Sequence, residues 1–278
     1  MPTSLDTSIA AHYRRPGLLD AILAGLRSAG ADPERPAPEE LAPIDEFHTL
    51  GRNGTLRALG LTPVRPGMHV LDAGSGLGGT ARVLAGEHGC RVTGIDLTPE
   101  FVEVARVLSE RTGLAERCRF QQGSVLDLPF ADAAFDAAVS FHVAMNIGTR
   151  DRFYGELARV LRPGAPLCLF DVMKGPEPGM RFPVPWAETE ATSFLRTPDE
   201  TCGLLRAAGF EVAAVESQRA VALDYYRTAF AEAAKADGPP PLGLHLLTGT
   251  GTTAKFENAV RMMEDHQTDP VIVVATRR

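Results

Sequence analysis

The residues with the most chemical content stand in one run, Val70-Leu71-Asp72-Ala73-Gly74-Ser75-Gly76-Leu77-Gly78-Gly79. An apolar, strand-like stretch closes on a carboxylate and opens into glycines. Glycine in that pattern lets the backbone turn tightly and come close to a ligand. Gly74-x-Gly76-x-x-Gly79 also satisfies the dinucleotide fingerprint, so the glycines alone leave the ligand open. Asp72 narrows the choice. Beside a pyrophosphate its charge is repulsive, and beside an ammonium group it is attractive; the competing reading is a carboxylate that caps a local turn. A second acid ends the run Gly94-Ile95-Asp96-Leu97-Thr98-Pro99. It lies about 20 residues past the turn, where a carboxylate accepts from both hydroxyls of a ribose. Asp96 therefore points to an adenosine-bearing ligand without choosing among them. Its alternative is to cap the helix opening near Pro99, a task for which Thr98 is the better candidate.

Further along come Gln122-Gly123-Ser124-Val125-Leu126-Asp127-Leu128, then Phe141-His142-Val143-Ala144-Met145-Asn146, then Arg159-Val160-Leu161-Arg162-Pro163-Gly164. His69, His88, His245 and His266 read as surface or element-end residues and receive no role. Trp186, the sole tryptophan, sits in the Pro-rich loop 175–186. It is either a core anchor or a pocket wall. Tyr225 and Tyr226 read as residues of an amphipathic helix in a late segment that is placed to roof a pocket.

These residues need a frame. Between positions 67 and 216, apolar runs of strand length alternate with helical patterns at 80–88, 99–112, 152–161 and 198–208, which implies a parallel sheet with helices on both faces. A long segment, 219–267, follows the sixth strand, and the apolar run 271–275 supplies a last one. Ahead of the sheet, residues 8–60 read as helices; Leu18, Leu19, Ile22, Leu23 and Leu26 give 16–29 an amphipathic period. His12 and Tyr13 are placed at the start of that helical region.

Composition removes several function classes. With 44% hydrophobic and 23% charged residues the chain has a globular balance. A net charge of -7 and no Lys/Arg cluster argue against nucleic acid as a partner. No apolar run reaches the ~20 residues of a membrane span, and Met1 to Asp6 lacks the pattern of a secretory leader. Cys90, Cys118, Cys168 and Cys202 are dispersed, with none of the close pairs that zinc favours. The expectation is four reduced thiols in a cytoplasmic protein, without a metal.

From position 67 to about 216 the chain resembles the class I S-adenosylmethionine-dependent methyltransferases. Its motifs are closest to a small-molecule branch that holds ubiquinone/menaquinone-pathway C-methyltransferases and sarcosine/dimethylglycine N-methyltransferases. The resemblance extends more weakly to Ala11-His12-Tyr13, to Asp45-Glu46-Phe47-His48 with Gly51, and to Phe182-Pro183-Val184-Pro185-Trp186-Ala187. It implies an α/β, Rossmann-like, seven-stranded and mostly parallel sheet with an antiparallel last strand. Residues 1–60 would form an N-terminal helical cap, and 61–278 the core with the 219–267 insertion. S-adenosylmethionine is the implied donor and S-adenosylhomocysteine the product.

Position by position, the resemblance puts Asp72, Gly74, Ser75, Gly76 and Gly78 around the methionine part. Asp96 takes the ribose, Leu97 packs on adenine, Ser124 and Val125 lie at the adenine edge, and Phe141-His142 close the methyl side. Relatives usually carry Asp where this chain has Ser124, which puts the adenine amino contact in doubt. Tyr13, Met145, Asn146, Phe182 and Trp186 are the expected acceptor contacts. His48 and His142 fall where the family places the reacting centre and titrate in the useful range. His48 is assigned acid–base work, or else closure of the lid over the donor's carboxylate, and His142 orientation. The expected acceptor is a specialised-metabolite or isoprenoid/aromatic intermediate, methylated on O, N or C by a monomer or homodimer. A nicotinamide-dependent oxidoreductase and a catalytically silent binding protein of the same fold are the rival readings.

Overall fold

Strands buried on both faces need almost unbroken apolar sequence. The middle of the sheet meets that demand: β4 (Ala137–Phe141) is buried throughout, and β5 (Pro166–Lys174) is buried up to Met173. The computed structural model describes residues 4–236, 238–249 and 251–278, with the side chains of residues 4–7 left aside. The first three residues of the N-terminal stretch read above therefore lie outside the described residues.

Seven strands form one sheet. With β1 (His69–Ala73), β2 (Arg91–Asp96), β3 (Cys118–Gln122), β6 (Phe210–Ser217) and β7 (Thr268–Arg277), the order is β3-β2-β1-β4-β5-β7-β6. β1 to β5 pair in parallel, and β7 runs antiparallel to both β5 and β6. This is the expected mostly parallel sheet with its antiparallel last strand. The strand order reverses between β1 and β4, and a ligand crevice opens at the carboxyl ends of strands at such a point.

Helices α5 (Gly79–Gly86), α6 (Pro99–Arg111), α7 (Arg150–Val160) and α8 (Pro198–Ala207) follow the strands as read. α7 and α8 cover one face with Phe153, Tyr154, Leu157 and Leu205. The other face packs Leu84 and Val102 together with Ala222 and Val260 from the insertion. Ahead of β1 lie α1 (Ser4–Tyr13), α2 (Leu18–Ser28), α3 (Ala42–Asp45) and α4 (Arg52–Leu61). The insertion folds as α9 (Arg219–Ala233), α10 (His245–Thr248) and α11 (Thr252–Glu264). Leu18, Ile22 and Leu26 of α2 pack with Leu242 and Leu247 of the insertion and with Phe101 of α6, so the cap and the insertion share one apolar cluster. His12 and Tyr13 close α1 rather than open the helical region.

Candidate active site

β1 and the turn after it build the floor of the site. Gly74 has φ +87°, and a Cβ there would meet Val143 at 2.2 Å. Only glycine satisfies both the left-handed backbone and the close approach. Gly76, φ +51°, is different: a Cβ on it would meet no protein atom within 4 Å. Gly74, Ser75 and Gly76 all border one cavity of about 410 Å³, together with Asp72 and Asp96. Gly78 does not border it. Gly78 has φ +82° and stands against Phe120 at the start of α5, so its glycine serves the turn.

Asp96 holds that turn from below. Its Oδ2 accepts from Gly76 N–H at 2.9 Å, and its Oδ1 accepts from Thr98 N–H at 2.8 Å. Thr98 holds the N-cap position of α6, as the sequence suggested, but its side chain makes no cap hydrogen bond. The Thr98 hydroxyl and the Leu97 N–H add to the hydrogen bonds on the Asp96 carboxylate, which borders the cavity. Burial raises the Asp96 pKa above the ordinary carboxylate range. Asp72 is 2% exposed, and its Oδ2 is buried without a partner. Burial, then the charges of Glu46 and Asp96, push its pKa up to about 8. Ser75 Oγ is likewise buried and unpartnered. Two orphaned polar atoms beside a glycine cradle suit a ligand that brings an ammonium group and hydroxyls. S-adenosylmethionine fits these residues.

The adenine-side residues of the reading, Leu97, Ser124 and Val125, border the same cavity, as do Phe141 and His142. His142 has φ +55°, uncommon for a side-chain-bearing residue. Its N–H donates to Phe170 O at 2.6 Å. Its ring Nδ1 lies 3.1 Å from the same oxygen, and Nε2 accepts from Thr49 N–H at 3.2 Å. That pattern fixes the neutral Nδ1–H tautomer. Burial, and then the neighbouring His48, hold the His142 pKa well below its ordinary value.

His48 sits in the segment between α3 and α4, its ring centroid 5.5 Å from that of His142. Its Nε2 is 2.9 Å from Glu46 Oε2, and its Nδ1 faces Thr49 O at 3.1 Å. Thr55 Oγ1 donates to the same Glu46 oxygen at 2.8 Å. Burial raises the Glu46 pKa, but hydrogen bonding and charge from His48 outweigh it, and the net shift is downward. Both ring nitrogens of His48 are thus engaged by the protein. As a base, it would first have to break one of these bonds. The segment is clamped to the core a second time by Arg82, which reaches Asp45 Oδ1, Leu77 O at 2.8 Å and Ser109 Oγ at 3.1 Å.

Beneath the cap the character of the cavity changes. Tyr13, Met145, Asn146 and Trp186 all border it. Tyr13 Oη donates to Asn146 Oδ1 at 2.9 Å, and Asn146 Nδ2 donates to Trp186 O at 2.9 Å and Thr192 O at 2.8 Å. The Trp186 indole N–H donates to Ser193 Oγ at 3.0 Å. Trp186 is therefore both anchored and a wall. Phe182 is not in the wall; it packs behind it, against the cluster that holds Met145 and Trp186. The sequence reading missed Arg82 as a buried clamp and Asp171. Asp171 lies on β5 and accepts from Val143 N–H at 2.9 Å, which fixes the turn that carries Met145 and Asn146. Its pKa is raised to about 7, first by burial. Tyr226 also lines the cavity from α9, whereas Tyr225 faces outward.

A methyltransferase-domain family profile matches residues 71–169. An O-methyltransferase of Pyrenophora dematioidea is 32% identical over 216 residues, 76% of this chain and 77% of that protein. The chain belongs to the class I S-adenosylmethionine-dependent methyltransferases. Among solved structures, the [4+2]-cyclase SpnF is 25% identical with a TM-score of 0.70, covering 100% of this chain and 98% of that one. Geranyl diphosphate C-methyltransferase from Streptomyces coelicolor A3(2), solved with Mg2+, geranyl diphosphate and S-adenosyl-L-homocysteine, is 18% identical with a TM-score of 0.73, covering 99% and 98%. The methyltransferase binds S-adenosylmethionine and methylates a small molecule; the oxidoreductase and silent-protein readings are not favoured. Among the described residues no helix is long and apolar enough to cross a membrane.

Proposed function

We propose that this methyltransferase acts on a partly apolar small molecule, a specialised metabolite or an isoprenoid or aromatic intermediate, bound beneath the roof of α1, α9, α10 and α11. The division of one cavity carries the reading. Acids and glycines lie at the strand ends, and apolar side chains lie under the roof. Asp72 and Ser75 are assigned the donor's amino acid portion, Asp96 the ribose, and Leu97, Ser124 and Val125 the adenine. The bound donor supplies a methyl already activated on a sulfonium. The chain's own task is then to align the acceptor, exclude water and keep the lid shut. Tyr13, Met145, Asn146 and Trp186 wall the acceptor. His142 orients the lid through Thr49, and the bonds on both nitrogens of His48 favour lid closure over proton transfer. The buried free thiols suit the cytoplasm, where we place the protein.

The test is methyl transfer from labelled donor to a panel of small molecules, with product mass as the readout. One added methyl on an apolar acceptor is the expected result. Labelled nucleic acid or protein with no small-molecule product would overturn the proposal. Because SpnF is a cyclase, chromatographic separation is added to the assay to resolve isomers of unchanged mass, the outcome that would mark cyclisation instead.

A further inference from the structure

We infer that the acceptor is uncharged and largely hydrocarbon, and that phosphate or diphosphate esters are excluded from the roofed chamber. This rests on the methyl-transfer reading above and narrows it. Met145, Val172, Trp186, Phe256, Ala259 and Met263 wall the chamber with apolar surface. The polar groups of Tyr13, Asn146, Trp186 and His142 in its walls are already committed to the protein. Tyr13 Oη and both ends of the Asn146 amide bond one another and the backbone, and the Trp186 N–H is held by Ser193. The lone pair of His142 Nε2 is taken by Thr49 N–H. The hydroxyls of Thr49 and Tyr226 act on each other, at the corner next to His142. That corner suits a single hydroxyl or carbonyl of the acceptor.

Charge points the same way. The cavity is bordered by Asp45, Asp72 and Asp96, of which Asp45 is paired with Arg82, and no Lys or Arg stands among the described residues that line it. The residues whose placement or side chains are not described, 1–7, 237 and 250, include no Lys or Arg in the sequence. His48 has its charge partner in Glu46 at 2.9 Å. A buried anion with no Lys or Arg of the chain to meet it in a low-dielectric pocket binds poorly. A neutral chain gains apolar burial at the same surface.

Trp186 is the only tryptophan and lies in the wall, so its fluorescence reports this chamber alone. The experiment titrates donor-loaded protein with geraniol, farnesol and their diphosphates, with and without Mg2+. Calorimetry repeats the series without the optical reporter. The expected result is saturable binding of the alcohols, with the diphosphates weaker by at least about ten-fold in either condition. Diphosphate binding equal to or tighter than the alcohol's overturns the inference. So does the absence of saturable alcohol binding in protein that still takes up donor. Loss of donor uptake by the wild-type protein would instead strike the donor-site assignment, so the two failures are told apart.

Discussion

Asp96 joins structure and ligand binding in one side chain. It fixes Gly76 and Thr98 while bordering the cavity. Asp96→Ala is expected to weaken donor binding by roughly 1.5–3 kcal/mol, the worth of a hydrogen bond to a charged group. Calorimetry with S-adenosylhomocysteine measures it, and unchanged affinity would remove the ribose assignment. His48 is the residue whose role the structure sharpens most. If it closes the lid, His48→Gln should weaken donor binding and, by leaving Glu46 to Thr55 alone, cost about 1–3 kcal/mol of stability. If it is a base, turnover should fall ~10²–10⁴ while donor affinity and stability barely move. Single-turnover rates, donor titration and a melting curve on one preparation separate the two outcomes. We expect the first.

At the scale of elements, α8 offers a clean control. Thr197 Oγ1 accepts from Glu200 N–H at 3.1 Å, and Glu200 Oε2 accepts from Thr197 N–H at 2.8 Å, a reciprocal cap. Thr197→Ala should lower stability by about 1 kcal/mol in urea unfolding and leave donor affinity untouched. Other local features were legible in the sequence. Strand–helix alternation marked out β1 to β5 as parallel strands of one sheet, because buried strands are apolar and crossover helices amphipathic. The donor acids were legible because glycine and carboxylate spacing is a local property of one turn. The rest depended on what folds back from far away. Nothing near Tyr226 in sequence says that α9 turns its side chain over Thr49 while Tyr225 faces outward. Nothing near Arg82 in sequence marks it as buried, yet it is 2% exposed because α3 brings Asp45 onto it. Phe182 was misplaced for the same reason: a Pro-rich loop has no period from which to read its inner face.

For the molecule as a whole, the buried acids set how stability follows pH. In the folded, donor-free protein Asp72 keeps its proton up to about pH 8, whereas an unfolded Asp loses it near pH ~4. Between those values the folded state holds the extra proton, so stability declines as pH rises. Asp171, raised to about 7, acts in the same direction. His142, whose pKa is lowered, opposes this only below about pH 6.5, where the unfolded imidazole takes up a proton that the folded one refuses. From pH 7 to 8.5 the melting temperature of the donor-free protein should therefore fall, by about 2–4 °C for each kcal/mol lost. Saturating donor, whose ammonium faces Asp72, or the Asp72→Asn substitution, should flatten the decline. A wild-type melting temperature that rises across this window would contradict the protonated Asp72. The position of β7 has a consequence of another kind, for how the chain is made. β5 and β6 do not touch as neighbours; each waits for β7, which comes last of the seven and pairs along both. A nascent chain can assemble the donor-binding half from β1 to β5 as it emerges. Until the final strand arrives, two long edges stay open, and each is a template for pairing with another chain. Synthesis stalled after α11 should therefore yield aggregates that still bear a formed nucleotide crevice, and the closing step of folding is the threading of one strand between two others.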